Sequence, residues 1–154
     1  MLGLFLDQNV AENVCVANEQ TGWYQKSATE KTGEQYREQL SIRTPSVRQV
    51  VRKLSGGNQQ KVVLAKWLHT NPEVLIVNEP THGVDVGAKA EIYDQLKKLT
   101  AAGKSILLLS SDLPELLLLS DRVAVMYNGK MQAIISKVEA TEERIAALAS
   151  GVLE

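Results

Sequence analysis

Leu54-Ser55-Gly56-Gly57-Asn58-Gln59-Gln60-Lys61 sets a serine and two glycines immediately before a stretch with helical apolar spacing. Glycines allow a tight turn, expose consecutive backbone N–H groups and let a ligand come close. Ser55 suits an N-cap, and a helix start adds partial positive charge. Such an element takes a phosphate oxygen. Each charge-assisted hydrogen bond there is worth about 1.5–3 kcal/mol. Ser-Gly-Gly alone is also an ordinary loop-to-helix turn. The phosphate reading gains from what comes next, Val74-Leu75-Ile76-Val77-Asn78-Glu79-Pro80-Thr81, an apolar strand ending in an acid. A strand end of that kind presents a metal ligand or a base. No Gly-x-x-x-x-Gly-Lys-Ser/Thr loop, the other common backbone cradle for phosphates, occurs in the 154 residues.

The positioning elements follow from periodicity and breakers. Residues 3–6 read as a short apolar strand or the end of one. Asn9 with Glu12 makes a capping box for a helix from Val10. Residues 19–32 are polar and carry glycine, which predicts a loop. Thr32 with Gln35 is a second capping box, opening a short helix to about Leu40. Pro45 breaks it, and Ser46 with Gln49 suggests another short helix. The stretch after the two glycines predicts a helix from Gly57 to about His69, stopped by Asn71-Pro72. Residues 74–77 and 106–109 are continuous apolar runs, as in strands covered on both faces. A helix over 88–99, ended by Gly103, joins them. Residues 113–119 predict a short helix and 123–126 a strand. Asn128-Gly129 makes a hairpin turn into 131–135, and 142–148 a last amphipathic helix. Alternating strands and helices imply an α/β fold with a mostly parallel sheet.

Composition narrows the class. The length suits one domain with a sizeable core. A net charge of −1, with 44% apolar and 23% charged residues, gives no electrostatic reason to expect nucleic acid. Cys15 is the single cysteine, read as a small core hydrophobe rather than a thiolate ligand. No secretory leader is evident, and the apolar tract 116–119 is too short to span a membrane. The cytoplasm is the expected address.

The quoted motifs, with 9–13, 74–89 and 106–129, resemble the ATP-binding subunits of bacterial sugar ABC importers of the ribose, galactose and xylose kind. The likeness is to the second nucleotide-binding domain. Asn58-Gln59-Gln60 and the run from Gly83 to Lys89 are typical of that subfamily. The resemblance implies a P-loop NTPase-like ABC ATPase domain in part: helical subdomain 7–53, α/β core 54–137 with a C-terminal β-hairpin, and C-terminal helix 138–154. It implies a head-to-tail pair of nucleotide-binding domains with ATP and Mg2+ between them. Ser55, Gly56, Gly57, Asn58 and Gln59 would then meet the ATP phosphates in trans. A membrane permease and, indirectly, a periplasmic sugar-binding protein are the further partners. The subunit would be peripheral on the inner face of the plasma membrane.

The acids depart from the family pattern. Where a Walker B strand ends Asp-Glu, this chain has Asn78-Glu79. Asparagine lacks the charge that magnesium favours, so metal retention weakens; a plain strand-end role for Asn78 stays open. Glu79 is the candidate base, or a structural residue before Pro80. Asp85 matches the D-loop aspartate and also suits a cap for the helix near Ala88. His69 and His82 read as solvated. Ser111 stands where strongly hydrolysing relatives carry a switch histidine. These departures fall on the cis site, so the resemblance implies hydrolysis supported in trans and little in cis. It also implies that a phosphate loop precedes Met1, and that the isolated chain is poorly stable or oligomeric. Two alternatives remain: a non-hydrolytic module completing another subunit's site, and a DNA-repair or chromosome ATPase piece. The latter is disfavoured by the absence of sustained heptads in 7–53.

Overall fold

The computed structural model describes residues 3–18 and 25–151. Of the loop expected over 19–32, residues 19–24 lie outside the described residues, and 26–32 are helix instead. The chain forms two compact units, Met1–Leu75 with Pro80–Leu107, and Ile76–Glu79 with Leu108–Glu154.

In the first unit, α1 (Val10–Cys15) starts at the expected capping box. The Glu12 N–H donates to Asn9 Oδ1 at 2.9 Å, and the Asn9 N–H donates to Glu12 Oε2 at 3.0 Å. Residues 3–6 bend instead of forming a strand. The cause is buried Asn13, which accepts from the Phe5 N–H at 2.8 Å and donates to its carbonyl at 3.0 Å. That amide takes the backbone groups a neighbouring strand would need.

α2 (Lys26–Gln39) begins before the expected cap, so Thr32 lies inside the helix and does not start it. Its contact with α1 is made through small residues, which hid it from an apolar-period reading. A Cβ on Gly33 would lie 2.8 Å from that of Ala11. Ser46 and Gln49 do not open a helix either. The Gln49 N–H closes a turn onto the Ser46 carbonyl at 3.0 Å, and a single 3-10 turn, Val51–Lys53, follows. Pairing with the α1 entry wins here. Val10 and Ala11 donate to the Gln49 and Val47 carbonyls at 3.1 and 3.0 Å.

α3 (Gly56–Leu68) packs on α1 and on α4 (Val86–Ala101). β1 (Val74–Asn78) and β2 (Ser105–Leu109) are neighbours. Ser105 donates to the Glu73 carbonyl at 3.0 Å and Glu79 to that of Leu109 at 2.8 Å. The two strands therefore run the same way around α4, as the pattern predicts. They are not covered on both faces, however. Leu75 is 7% exposed, while Ile76 is 68% and Leu107 54% exposed. Successive side chains point to opposite faces, so one face is open.

In the second unit, α5 (Leu113–Leu119) is capped by Asp112, whose Oδ1 accepts from the Glu115 N–H at 3.0 Å. β3 (Arg122–Tyr127) and β4 (Lys130–Ser136) pair antiparallel. Asn128 and Gly129 close them with φ of 47° and 75°, as a two-residue hairpin turn requires. Among the described residues β3 pairs with β4, as the Asn128-Gly129 turn predicts, and does not join the parallel pair β1-β2. Val123, Val125 and Ile135 pack with Ile145 of α6 (Glu142–Ser150), and Leu113 and Leu117 close over them.

Candidate functional site

Ser55 occupies the N-cap position of α3, but its hydroxyl caps nothing. The first intrahelical bond runs from the Gln59 N–H to the Ser55 carbonyl at 2.9 Å. The N–H groups of Gly56, Gly57 and Asn58 donate to no protein acceptor among the described residues. Three unpaired donors at one helix start make a cradle for an anion.

The glycines also serve packing. A Cβ on Gly57 would fall 2.5 Å from that of Ala88, and one on Gly56 would fall 3.4 Å from the Gly83 carbonyl oxygen. Gly57 is buried and Ser55 is exposed. The turn is therefore seated on the segment 83–88, and its Ser55 end is open.

The two polar side chains that follow are engaged within the chain. Asn58 Oδ1 accepts from the Arg43 N–H at 2.7 Å, and its Nδ2 donates to Ser55 Oγ at 2.8 Å. Gln59 Nε2 donates to the Leu54 and Val51 carbonyls at 3.0 and 3.3 Å. Gln59 thus ties the helix back onto the preceding turn. One helical turn on, Lys61 is 2% exposed. Its ammonium donates to the Ser41 carbonyl at 2.9 Å and to Glu91 Oε2 at 2.7 Å. Arg43 donates to the other oxygen of Glu91. The Lys61 hydrogen bond holds the Glu91 carboxyl below the usual carboxylate range.

Asp85 caps α4, with Oδ1 accepting from the Ala88 N–H at 2.9 Å. In the second unit, Glu79 has φ of 47°, a left-handed conformation that glutamate adopts at a cost. Its Oε1 accepts from the Ser111 N–H at 2.8 Å. The structure thus brings Glu79 and Ser111 together, through the serine backbone and not its hydroxyl. Asn78 sits at the exposed end of β1. Among the described residues no three His, Cys, Asp or Glu side chains converge as a metal site would need.

The histidines differ from each other. His82 is exposed. His69 is not simply solvated as expected: its ring packs edge-on to Tyr36 at 5.7 Å. Burial holds its pKa below the ordinary value.

A profile described as ABC transporter matches residues 2–82. The chain belongs to the ABC transporter family. Members of this family use ATP with Mg2+. The ribose import ATP-binding protein RbsA of Clostridium perfringens is 46% identical over 155 residues, 97% of this chain and 31% of that protein. That of Bacillus licheniformis is 46% identical over 153 residues, again 97% and 31%. The chain thus spans 31% of the length of these curated relatives. Among solved structures, the ATP-binding cassette MJ1267 of an ABC transporter superposes with a TM-score of 0.77 at 23% identity, over 92% of this chain and 62% of that one. The dimeric cassette MJ0796 bound to ADP and Pi gives 0.74 at 22% identity, over 87% and 59%. These likenesses show the α/β fold of an ABC ATPase cassette. Among the described residues no helix of this ABC family member is long and apolar enough to cross a membrane.

Sequence reasoning missed Arg43, Lys61 and Glu91. The signal was present for one of them. Lys61 stands one turn after Gly57 and one before Ala65, on the side of the helix that is buried at both. A lysine there requires an acid partner, which α4 supplies.

Proposed function

We propose that this chain serves a carbohydrate-import ABC ATPase by lending its Ser55–Asn58 turn to ATP held on a partner nucleotide-binding domain. The observation that carries this reading is the set of three unpaired N–H groups at Gly56, Gly57 and Asn58 beside an exposed serine. Preorganised donors of this kind stabilise charge as it develops on a transferring phosphoryl group. The import role rests on the relatives, which are named for ribose import. By the same likeness, the partners are a second nucleotide-binding domain, a membrane permease and, through it, a sugar-binding protein. The chain would sit at the inner membrane face. Asp85, fixed by its own cap bond, is suited to carry the state of the turn across the domain interface.

The chain's own Asn78–Glu79 site contributes little hydrolysis in this reading. Asn78 offers magnesium a neutral amide oxygen where a carboxylate would bind better. Glu79 already accepts the Ser111 N–H, which occupies one oxygen of the candidate base. That bond also favours a second reading, a non-hydrolytic module that only completes another subunit's site.

ATP turnover tests both. It is measured for the chain alone, for a ribose import ATP-binding protein bearing a phosphate loop alone, and for the mixture. No turnover by the chain and a faster mixture are expected, with the gain abolished by Ser55→Arg. Turnover by the chain alone would sink the cis half of the reading. A mixture no faster than the relative alone would sink the trans half.

A further inference from the structure

The chain of hydrogen bonds around Ser55 fixes which way each partner donates. A backbone N–H can only donate, so the Asn58 atom facing the Arg43 N–H at 2.7 Å is the oxygen. The atom facing Ser55 Oγ at 2.8 Å is then the NH2 group. An NH2 group also only donates, so Ser55 Oγ accepts there and its own proton is turned away from Asn58. We infer that Asn58 is a positioning residue that sets the Ser55 hydroxyl as a hydrogen-bond donor toward an incoming phosphate oxygen. This rests on the trans-phosphate reading above.

The direction is set from deeper in the fold. Asn58 takes its orientation from the Arg43 N–H. The loop carrying that N–H is held at Ser41 by buried Lys61 and at the Arg43 side chain by Glu91. Lys61 and Arg43 share the two oxygens of Glu91, so one carboxylate on α4 anchors both ends of the segment 41–43. Ser41 itself adopts φ of 50°, a conformation such anchoring has to maintain. The sequence Arg43 N–H, Asn58 amide, Ser55 hydroxyl therefore ends in a free proton at the open edge of the turn. With glutamine at position 58 the extra methylene would carry the amide past one of its two partners.

Two arms test this, and they fail separately. In the first, the Asn58 side-chain NH2 signals of the isotope-labelled chain are followed by NMR. They are expected to shift when Ser55→Ala removes the acceptor; NH2 signals indifferent to Ser55→Ala would overturn the assigned donor direction, whatever the chain's function. In the second, turnover in the mixture with the phosphate-loop-bearing relative is measured in a double-mutant cycle. Ser55→Ala and Asn58→Ala are each expected to lower the chain-dependent gain by roughly 10-fold or more, the size of one lost charge-assisted bond, and the double variant no further. Asn58→Asp keeps the acceptor for the Arg43 N–H and loses the donor; it covers the case where Asn58→Ala unfolds, with the same loss expected. Multiplicative losses would give Asn58 a role independent of Ser55 and overturn the inference. A wild-type mixture with no gain at all would overturn the trans reading, and this role of Asn58 with it, while the NMR arm still reports the hydroxyl direction.

Discussion

Glu79 bends the backbone into the left-handed region and returns its carboxylate to the Ser111 N–H. The strain and the bond belong together. The sharp turn after β1 brings the side chain to the amide, and the amide helps hold the turn. A glutamine at 79 keeps an oxygen for Ser111, whereas an alanine keeps the strain and loses the bond. Glu79→Gln is therefore expected to hold the urea midpoint near that of the parent. Glu79→Ala is expected to lose about 0.5–1.5 kcal/mol, the net worth of one hydrogen bond whose freed N–H can turn to water. Equal losses for both would show that the charge, and not the bond, matters at this position. The acid was legible in the sequence as the end of an apolar strand. Its partner was legible as a position but not as a backbone donor, because nothing in Ser110-Ser111-Asp112 reveals which group will face the strand.

At the scale of elements, α3 is seated on the start of α4 by the absence of a side chain. Gly57 and Ala88 leave no room for one more methyl group between them, with a built Cβ only 2.5 Å away. Gly57→Ala should cost about 1–3 kcal/mol by overpacking. Ala88→Gly in the same chain should restore most of it, read from denaturant midpoints. A Gly57→Ala variant of unchanged stability would mean that the two helices are not held this closely. Elements with a clear apolar period or a capping signal were readable: α1 from its capping box, α3 and α4 from their spacing, the hairpin from Asn128-Gly129. Those that depend on contacts far along the chain were not. α2 is polar and packs through Gly33, so its early start leaves no periodic trace. The stretch after Pro45 is decided by pairing with α1, which local propensity does not contain. The open face of β1 and β2 is likewise invisible in a run of apolar residues, since such a run looks the same whether one face is covered or two.

For the molecule as a whole, the proposed function is a division of labour between two ATP sites. The signature turn keeps its serine, its glycines and its unpaired donors. The end of β1 carries the neutral Asn78, and the Glu79 carboxylate accepts from the chain's own Ser111 N–H. The chain covers 31% of the curated relatives it matches, and the import activity proposed for it belongs to an assembly. In the proposed reading its own part is to present three amides and one hydroxyl. The most direct measurement follows the N–H resonances of Gly56, Gly57 and Asn58 while the labelled chain is titrated with the phosphate-loop-bearing relative loaded with ATP or with ADP. Downfield shifts of these three signals with ATP, and not with ADP, are the predicted result. Signals that stay in place, or that move alike with both nucleotides, would contradict it.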